Sequence, residues 1–224
     1  MSTVAGVYTD WCFIDYNPVL AEILPESLLP YLTSGQTILD VGCNKGNVSI
    51  FIAKHGFSVT GIDINQQAVE IARERVARED LEGNTHFLVT DVLDGRELGE
   101  FDVVLMIRLL TCFPGLANWQ RLLSKVHSLI KNRGMIYVND FLLTEENDIY
   151  RKRYDTCLGR GRRHGNFEVF DENGRLQFIA HHHTHEEMNE IISPYEQIKL
   201  NIYKSISMYG NDVNMFEFIG RKIN

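Results

Sequence analysis

The sequence predicts an α/β fold in which a mostly parallel sheet is covered by helices on both faces. Short apolar runs recur through residues 37–141, each is followed by a segment of helical periodicity, and acidic residues and glycines stand where the runs end. Strands that alternate with helices form parallel sheets, and such sheets bind ligands at the carboxyl ends of their strands. The acids and glycines therefore mark the edge where a ligand site is expected.

The first strand and its turn lie in the stretch Thr37–Gly46, which reads TILDVGCNKG. An apolar strand carries Asp40 at its end, and a helix is predicted over Asn47–His55. Gly42 allows a sharp turn, while Gly46 removes a side chain where the helix or a ligand packs closely. An acidic strand end that leads through a glycine turn into a helix N-terminus is typical of a nucleotide-binding corner.

A second carboxylate, Asp63, closes the next apolar run, Phe57–Ile62. It follows Gly42 by about twenty residues, the spacing at which an acid accepts hydrogen bonds from both ribose hydroxyls. A G-x-G-x-x-G dinucleotide fingerprint fails because positions 44 and 47 are both asparagine. A phosphate-binding P-loop fails because Lys45 precedes Gly46 and no serine or threonine follows.

Composition indicates a globular protein of one α/β domain with a modest insertion. The chain has 224 residues, of which 44% are hydrophobic and 23% charged, which is ordinary for such a domain. The net charge of −8 disfavours nucleic acid as a general partner. Residues 151–164 are an exception to this acidic balance, because they contain six Lys or Arg and one Asp.

The four cysteines are widely spaced and form no C-x-x-C motif. No signal peptide and no apolar run of membrane-spanning length is visible in the sequence. The sequence therefore predicts free thiols in a reducing cytoplasm, with no membrane partner.

Further elements follow in order. Helices are predicted at Gln66–Ala77, Ala117–Ile130, Glu145–Tyr154 and Glu186–Ile192, the last with a capping box of Thr184 and Glu187. Strands are predicted at Thr85–Val89, Phe101–Met106, Met135–Phe141, Gln197–Tyr203 and Met215–Gly220, together with a β-hairpin over 167–180. Lys131–Gly134 is expected to end the helix that precedes the fifth strand.

The segment D-V-G-C-N-K-G, from Asp40 to Gly46, resembles motif I of the class I S-adenosylmethionine-dependent methyltransferases, usually D-x-G-x-G-x-G. Asn44 replaces the middle glycine, and asparagine tolerates a positive φ better than most residues. The resemblance implies a Rossmann-like, seven-stranded, mostly parallel sheet whose last strand is antiparallel, with a small β-hairpin insertion. It also implies a single methyltransferase domain over 1–224, with an N-terminal helical or lid segment at 1–34 and an insertion at 145–185.

The resemblance implies S-adenosylmethionine as the cofactor and S-adenosylhomocysteine as its product. In the family's arrangement Asp40, Gly42 and Gly46, with Asn44 in the same turn, would hold the methionine end, and Asp63 would hold the ribose. The adenine would lie near the remaining predicted contacts, Ile64, Asp91 and Val92. For Asp91, an ordinary turn or N-cap role remains the alternative.

The expected reaction is methyl transfer to an O or N atom of a small molecule. The [DNS]-P-P-[YFW] motif of amino-methylating DNA enzymes is absent after the fourth strand. Substrate contacts are predicted for Tyr8, Trp11, Tyr16, Arg108, His181 and His183, and catalytic roles for Arg108 and His182. Two rivals stay open: an RNA or protein methyltransferase that uses the basic 151–164 segment, and a catalytically inactive S-adenosylmethionine-binding subunit.

Several of these side chains also have structural explanations. The aromatic leader could simply dock on the body of the protein, and the histidines could alternate between two faces with one buried against the hairpin. Cys112 is more typical of a small core residue than of the nucleophile in a cytosine-C5 enzyme. A local histidine cluster without an acidic motif does not favour a metal centre, so no metal is predicted.

Overall fold

The computed structural model describes residues 25–94, 98–170, 173–207 and 210–223. Seven strands form one sheet in the order β3-β2-β1-β4-β5-β9-β8, and β6 pairs with β7 in a separate hairpin. The strands are β1 Thr37–Val41, β2 Ser58–Asp63, β3 Thr85–Val89, β4 Phe101–Ile107, β5 Ile130–Leu142, β6 Asn166–Phe170, β7 Leu176–His181, β8 Tyr195–Ile206 and β9 Asp212–Lys222. Strands β1 to β5 are parallel, whereas β9 runs antiparallel to both of its neighbours. The predicted sheet, with its antiparallel last strand, is confirmed.

Helices cover both faces of this sheet. They are α1 Asn47–Lys54, α2 Gln66–Arg78, α3 Leu116–Ser128, α4 Asp148–Gly159 and α5 His185–Ile192. Successive side chains of a strand point to opposite faces, so Leu39 packs in the core beneath α3 and α5, whereas Ile38 packs with Ile52 of α1 on the other face. The carboxyl ends of β1 to β5 therefore meet at one edge, between two layers of helices.

The boundary between α3 and β5 differs from the prediction. Helix α3 ends at Ser128, and Ile130 already belongs to β5, where it is paired with Phe101 of β4. Lys131–Gly134 lies within this strand and does not end the helix. The apolar residues at 129 and 130 fit the helical period, but pairing with β4 gives the backbone groups of this segment better partners: the Phe101 N–H donates to the Leu129 carbonyl at 2.8 Å.

The insertion after β5 contains α4 and the β6–β7 hairpin, and it confirms the predicted hairpin. Helix α4 begins at Asp148 because the Asn147 side chain accepts from the Ile149 N–H at 2.9 Å. A separate apolar cluster that includes Tyr154, Phe167 and Met215 of β9 lies beneath the hairpin. The proposed division into a 1–34 segment and a 145–185 insertion stays a prediction, since residues 1–24 lie outside the described part of the chain.

Within the described ranges, no helix combines the length and the apolar character needed to cross a membrane.

Candidate functional site

The turn between β1 and α1 adopts left-handed backbone at three positions. Gly42 has φ +77°, Asn44 +46° and Gly46 +78°. The expectation that asparagine would accept a positive φ in place of the middle glycine is confirmed. The N–H groups of Gly42 and Cys43 both donate to the Ile62 carbonyl, at 2.8 and 3.0 Å, so the turn is fixed to the end of β2.

The two glycines of this turn have different neighbours. A Cβ on Gly46 would lie 2.9 Å from Phe87 Cζ and 3.0 Å from the Cβ of Ala72. A Cβ on Gly42 would lie 2.8 Å from Leu109 Cδ1, the end of a flexible side chain on the loop after β4. Gly46 therefore allows the turn to pack on α2 and β3. Gly42 allows the Leu109 side chain to pack closely against the turn.

Asp40 lies at the end of β1 and is almost completely buried. The Ser49 hydroxyl of α1 donates to its Oδ2 at 2.6 Å. Burial raises the pKa of Asp40 to about 6, although the hydrogen bond from Ser49 opposes this rise. A cationic ligand group near this carboxyl would therefore favour its ionised form.

Asp63 connects the turn to the end of β2. Its Oδ2 accepts from the Asn44 N–H and its Oδ1 from the Asn65 N–H, both at 2.9 Å. Burial raises the pKa of Asp63, and these backbone donors oppose the rise. Each carboxylate oxygen has two acceptor positions, so Asp63 can hold the turn and still accept from two ligand hydroxyls.

The residues predicted near an adenine follow β2 and β3. The Thr90 N–H donates to the Asp63 carbonyl at 2.9 Å, which places the start of this loop beside β2. Asp91 Oδ1 accepts from the Leu93 N–H at 2.8 Å, so the turn role that was the alternative for Asp91 is present. Ile64 is half-buried and Val92 is buried in the core. Contacts of these residues with a ligand stay predictions.

Two features of the turn suit a small polar ligand. The Asn44 Oδ1 is buried and has no hydrogen-bond partner. Buried polar atoms without a hydrogen-bond partner are rare in proteins. Gly46 is the N-cap of helix α1 and provides no side-chain cap, so the N–H groups of the first turn face the loop at the positive end of the helix dipole. The turn can therefore bind a ligand that carries a carboxylate or other acceptor beside a hydrogen-bond donor.

The exits of β4 and β5 lie next to this turn. Arg108 has φ +52°, and its N–H donates to the Asn139 carbonyl at 2.7 Å. Its guanidinium lies 5.6 Å from the centre of the Phe141 ring. A left-handed conformation costs a non-glycine residue about 1–2 kcal/mol, and such outliers cluster at functional sites. The predicted substrate and catalytic roles of Arg108 stay predictions.

Cys112 packs against the main core cluster. Burial raises the pKa of its thiol far above the ordinary value, and the nearby Asp140 adds to the rise. Since the thiolate is the nucleophilic form, this environment favours the core role over the nucleophile.

The three consecutive histidines are buried and divide between two faces. His182 stacks on Phe141, with ring centres 4.9 Å apart, and its Nδ1 is hydrogen bonded to the Tyr154 hydroxyl at 2.7 Å. His181 and His183 lie together on the other face, with ring centres 4.9 Å apart. Burial lowers the pKa of all three, that of His183 to about 4. Their predicted substrate and catalytic roles stay predictions, and would require the insertion to open.

Two acids beside these histidines were not predicted as site residues from the sequence. Asp140 of β5 is fully buried and accepts from the Leu110 and Thr111 N–H groups at 2.8 and 3.3 Å; burial raises its pKa to about 7. Glu187 completes the predicted capping box, and its Oε2 also lies 2.8 Å from His181 Nε2. One sequence feature could have indicated Glu187 as a site residue: it follows His183 by four residues at the start of a helix.

The aromatic residues of the predicted lid, Tyr8, Trp11 and Tyr16, lie outside the described residues.

Comparisons with known proteins agree with this geometry. Residues 39–136 match a family model described as a methyltransferase domain. The ubiquinone biosynthesis O-methyltransferase of Coxiella burnetii (strain Dugway 5J108-111) is 28% identical over 121 residues, which are 54% of this chain and 49% of the relative. The ribosomal protein L11 methyltransferase of Thermotoga petrophila is 41% identical over 78 residues, 34% of this chain and 28% of the relative. The chain spans about half the length, or less, of these curated relatives.

Solved structures extend the likeness beyond the matched segment. A S-adenosylmethionine-dependent methyltransferase from Methanosarcina mazei has a TM-score of 0.83 at 27% identity, covering 90% of this chain and 99% of the other. Magnesium protoporphyrin IX methyltransferase from Synechocystis PCC 6803 has a TM-score of 0.63 at 19% identity, covering 88% and 81%, and shows the shared fold. The turn, the spaced carboxylates, the strand order and these matches lead to one conclusion: residues 39–136 match the methyltransferase-domain family, and the chain has the fold of the S-adenosylmethionine-dependent methyltransferases.

Proposed function

We propose that this protein transfers the methyl group of S-adenosylmethionine to an O or N atom of a small-molecule acceptor. The observation that carries the proposal is the β1–α1 turn, where Asp40 and Asp63 stand at adjacent strand ends. The match of residues 39–136 to a methyltransferase domain supports the same cofactor, and the solved Synechocystis neighbours contain S-adenosylmethionine or S-adenosylhomocysteine.

The residues of the turn divide the binding task. The first-turn N–H groups of α1 would donate to the carboxylate of the methionine end, and Asp40 would face its ammonium group. Asp63 would accept from both ribose hydroxyls while its backbone bonds to Asn44 and Asn65 keep the carboxylate in place. Ile64, Asp91 and Val92 would border the adenine.

The cofactor supplies a methyl group already activated on a sulfonium. The protein therefore has to align the acceptor with that methyl group and exclude water. Arg108 stands at the β4 exit, where a guanidinium would bind an acceptor carboxylate or other anionic group. A base is required only if the acceptor atom must lose a proton.

The charges of the basic segment favour a small acceptor over a nucleic acid. Arg160 and Arg162 lie 2.5 and 3.8 Å from the carboxylate of Glu168, and Arg163 lies 2.6 Å from that of Glu187. Arg153 lies over the Phe167 ring at 5.0 Å. Four of the six basic side chains of the segment are thus engaged with other residues of the protein, so the segment offers less free positive charge to phosphates than its composition indicates.

The relatives point to more than one acceptor class. The ubiquinone biosynthesis relatives are named O-methyltransferases, which supports a small molecule and an oxygen acceptor. The ribosomal protein L11 relative matches over only 28% of its length, so the match supports a common cofactor domain more than a common substrate.

Calorimetric titration with S-adenosylhomocysteine, with NAD as the control, tests the cofactor. We expect micromolar binding of the first and none of the second. Incubation with methyl-labelled S-adenosylmethionine and separate pools of phenols, amines, RNA and protein then tests the acceptor. Label in the small-molecule pools would support the proposal, whereas label only in RNA or protein would support the polymer alternative. No binding of S-adenosylhomocysteine would contradict the proposed cofactor and, with it, the proposed methyl transfer.

A further inference from the structure

We propose that His181, His183 and Glu187 bind a divalent first-row transition metal ion such as Zn²⁺. Each residue offers one ligand atom, and these atoms all lie within 4.8 Å of one another. Glu187 Oε2 is 2.8 Å from His181 Nε2 and 3.7 Å from His183 Nδ1. Ligand bonds of about 2.0–2.1 Å in a tetrahedral site place ligand atoms about 3.3 Å apart, so small side-chain rotations would enclose an ion.

His183 is the first reason to expect an ion. Its side chain is fully buried, yet neither ring nitrogen has a hydrogen-bond partner. The acidic atoms nearest to it are Glu187 Oε2 at 3.7 Å from Nδ1 and Asp140 Oδ1 at 4.0 Å from Nε2. An unpaired buried polar group is costly, and a cation between Nδ1 and Glu187 would remove that cost.

His181 provides an independent reason. Its Nδ1 lies 2.7 Å from Asn166 Oδ1, and the Asn166 amide is oriented by its Nδ2 donating to the Pro114 carbonyl at 3.4 Å. Nδ1 must therefore carry the proton, which in a neutral ring leaves a lone pair on Nε2, directed at the Glu187 carboxylate. Nε2 lies 2.8 Å from Glu187 Oε2; in the doubly protonated ring a proton joins these two atoms, and a metal ion would take the place of that proton.

The groups behind the ligands match the usual surroundings of a metal site. Metal-bound histidines donate their second ring N–H to a carboxylate, a carbonyl or a similar acceptor. Asn166 stands in that position for His181, and Asp140 stands on the far side of His183. The Glu187 Oε1 pairs with Arg163 at 2.6 Å; Oε2, which accepts from the Thr184 N–H at 2.9 Å, keeps a second acceptor position for the ion.

The proposed ion would join three segments of the chain. His181 ends β7, Glu187 lies in the first turn of α5, and the His183 backbone is bonded to β5: its N–H donates to the Phe141 carbonyl at 3.0 Å, and its carbonyl accepts from Leu143 at 2.8 Å. The site is buried, so its role is to fix the insertion to the sheet. This role replaces direct substrate contact for His181 and His183, and the proposed metal binding does not rest on the proposed methyl transfer.

The test uses the full chain, freed of metal with a chelator and then titrated with Zn²⁺. We expect one equivalent to bind and the unfolding temperature to rise. Titration with Co²⁺ should give the visible absorption of a low-symmetry, nitrogen- and oxygen-ligated ion. Glu187→Gln and His183→Gln should each lower the Zn²⁺ affinity by at least 100-fold. S-adenosylhomocysteine binding by each variant confirms that it is folded, or a far-ultraviolet spectrum does so if the cofactor proposal is wrong.

The matched control is His164→Gln, which removes a half-buried histidine whose Nε2 lies 3.3 Å from the Glu145 carboxylate. This variant should keep the full stoichiometry and affinity. The proposal is overturned if the wild-type chain binds no stoichiometric Zn²⁺ or Co²⁺, or if His164→Gln loses the ion while Glu187→Gln and His183→Gln retain it.

Discussion

Replacing Asp63 by alanine should weaken cofactor binding and also loosen the turn that forms the site. The substitution removes the acceptor for the Asn44 and Asn65 N–H groups, each 2.9 Å from a carboxylate oxygen. Hydrogen bonds to a charged group contribute roughly 1.5–3 kcal/mol each, but water can replace part of this because Asp63 is only half-buried. We expect a loss of about 2–3 kcal/mol in the free energy of unfolding. We expect a similar loss in the free energy of binding, which corresponds to an affinity for S-adenosylhomocysteine about 30- to 140-fold lower.

Calorimetric titration and urea unfolding measure the two effects separately. Asp102→Ala is the matched control, since Asp102 also accepts from a backbone N–H, that of Thr37 at 2.8 Å, but lies at the opposite end of the sheet. The control should lose stability and keep its affinity. If Asp63→Ala lost stability and bound S-adenosylhomocysteine as tightly as the wild type, Asp63 would serve only the turn, and its ribose role would be wrong.

Two further predictions concern the same turn. Gly46→Ala should cost about 2–4 kcal/mol in urea unfolding, from backbone strain and the 2.9 Å approach to Phe87. Gly35→Ala, at a similar φ of +83° with nothing within 4 Å, should cost only the strain, about 1–2 kcal/mol; equal losses would show that the Phe87 contact is harmless. Burial raises the pKa of Asp40 to about 6, so its contribution to stability is full below about pH 4 and is lost as the pH rises through 6. Relative to Asp40→Asn, the wild type should therefore lose roughly 1 kcal/mol between pH 5 and pH 8, and a constant difference between the two urea curves would contradict the raised pKa.

The insertion links the two parts of the molecule for which we make proposals. His182 stacks on Phe141, and the Arg108 guanidinium lies over the same ring. An ion that fixed His181 and His183 would thus hold one wall of the proposed acceptor site. Loss of the ion should lower the rate of methyl transfer more than the affinity for S-adenosylhomocysteine, because the cofactor turn lies at β1 and β2.

The sequence alone determined the cofactor turn and the sheet that carries it. Positive φ at Gly42, Asn44 and Gly46 is a local property of the residue types. The distance from Gly42 to Asp63 needs only a helix and a return strand. Because parallel neighbours end at one edge, position along the chain was enough to bring Asp40 and Asp63 together.

Only the tertiary structure decided the features that depend on distant partners. Ile130 fits a helical period, and pairing with Phe101 made it a strand residue. Glu187 was visible as a capping residue, but its contact with His181, six residues earlier, depends on the path of the chain between the end of β7 and the start of α5. The burial of Asp140 and His183 likewise depends on how the insertion lies on β5. The pairing of Ile130 with Phe101 and the burial of Asp140 join segments whose separation in sequence carries no period or spacing signal, so they become visible only when the chain is folded.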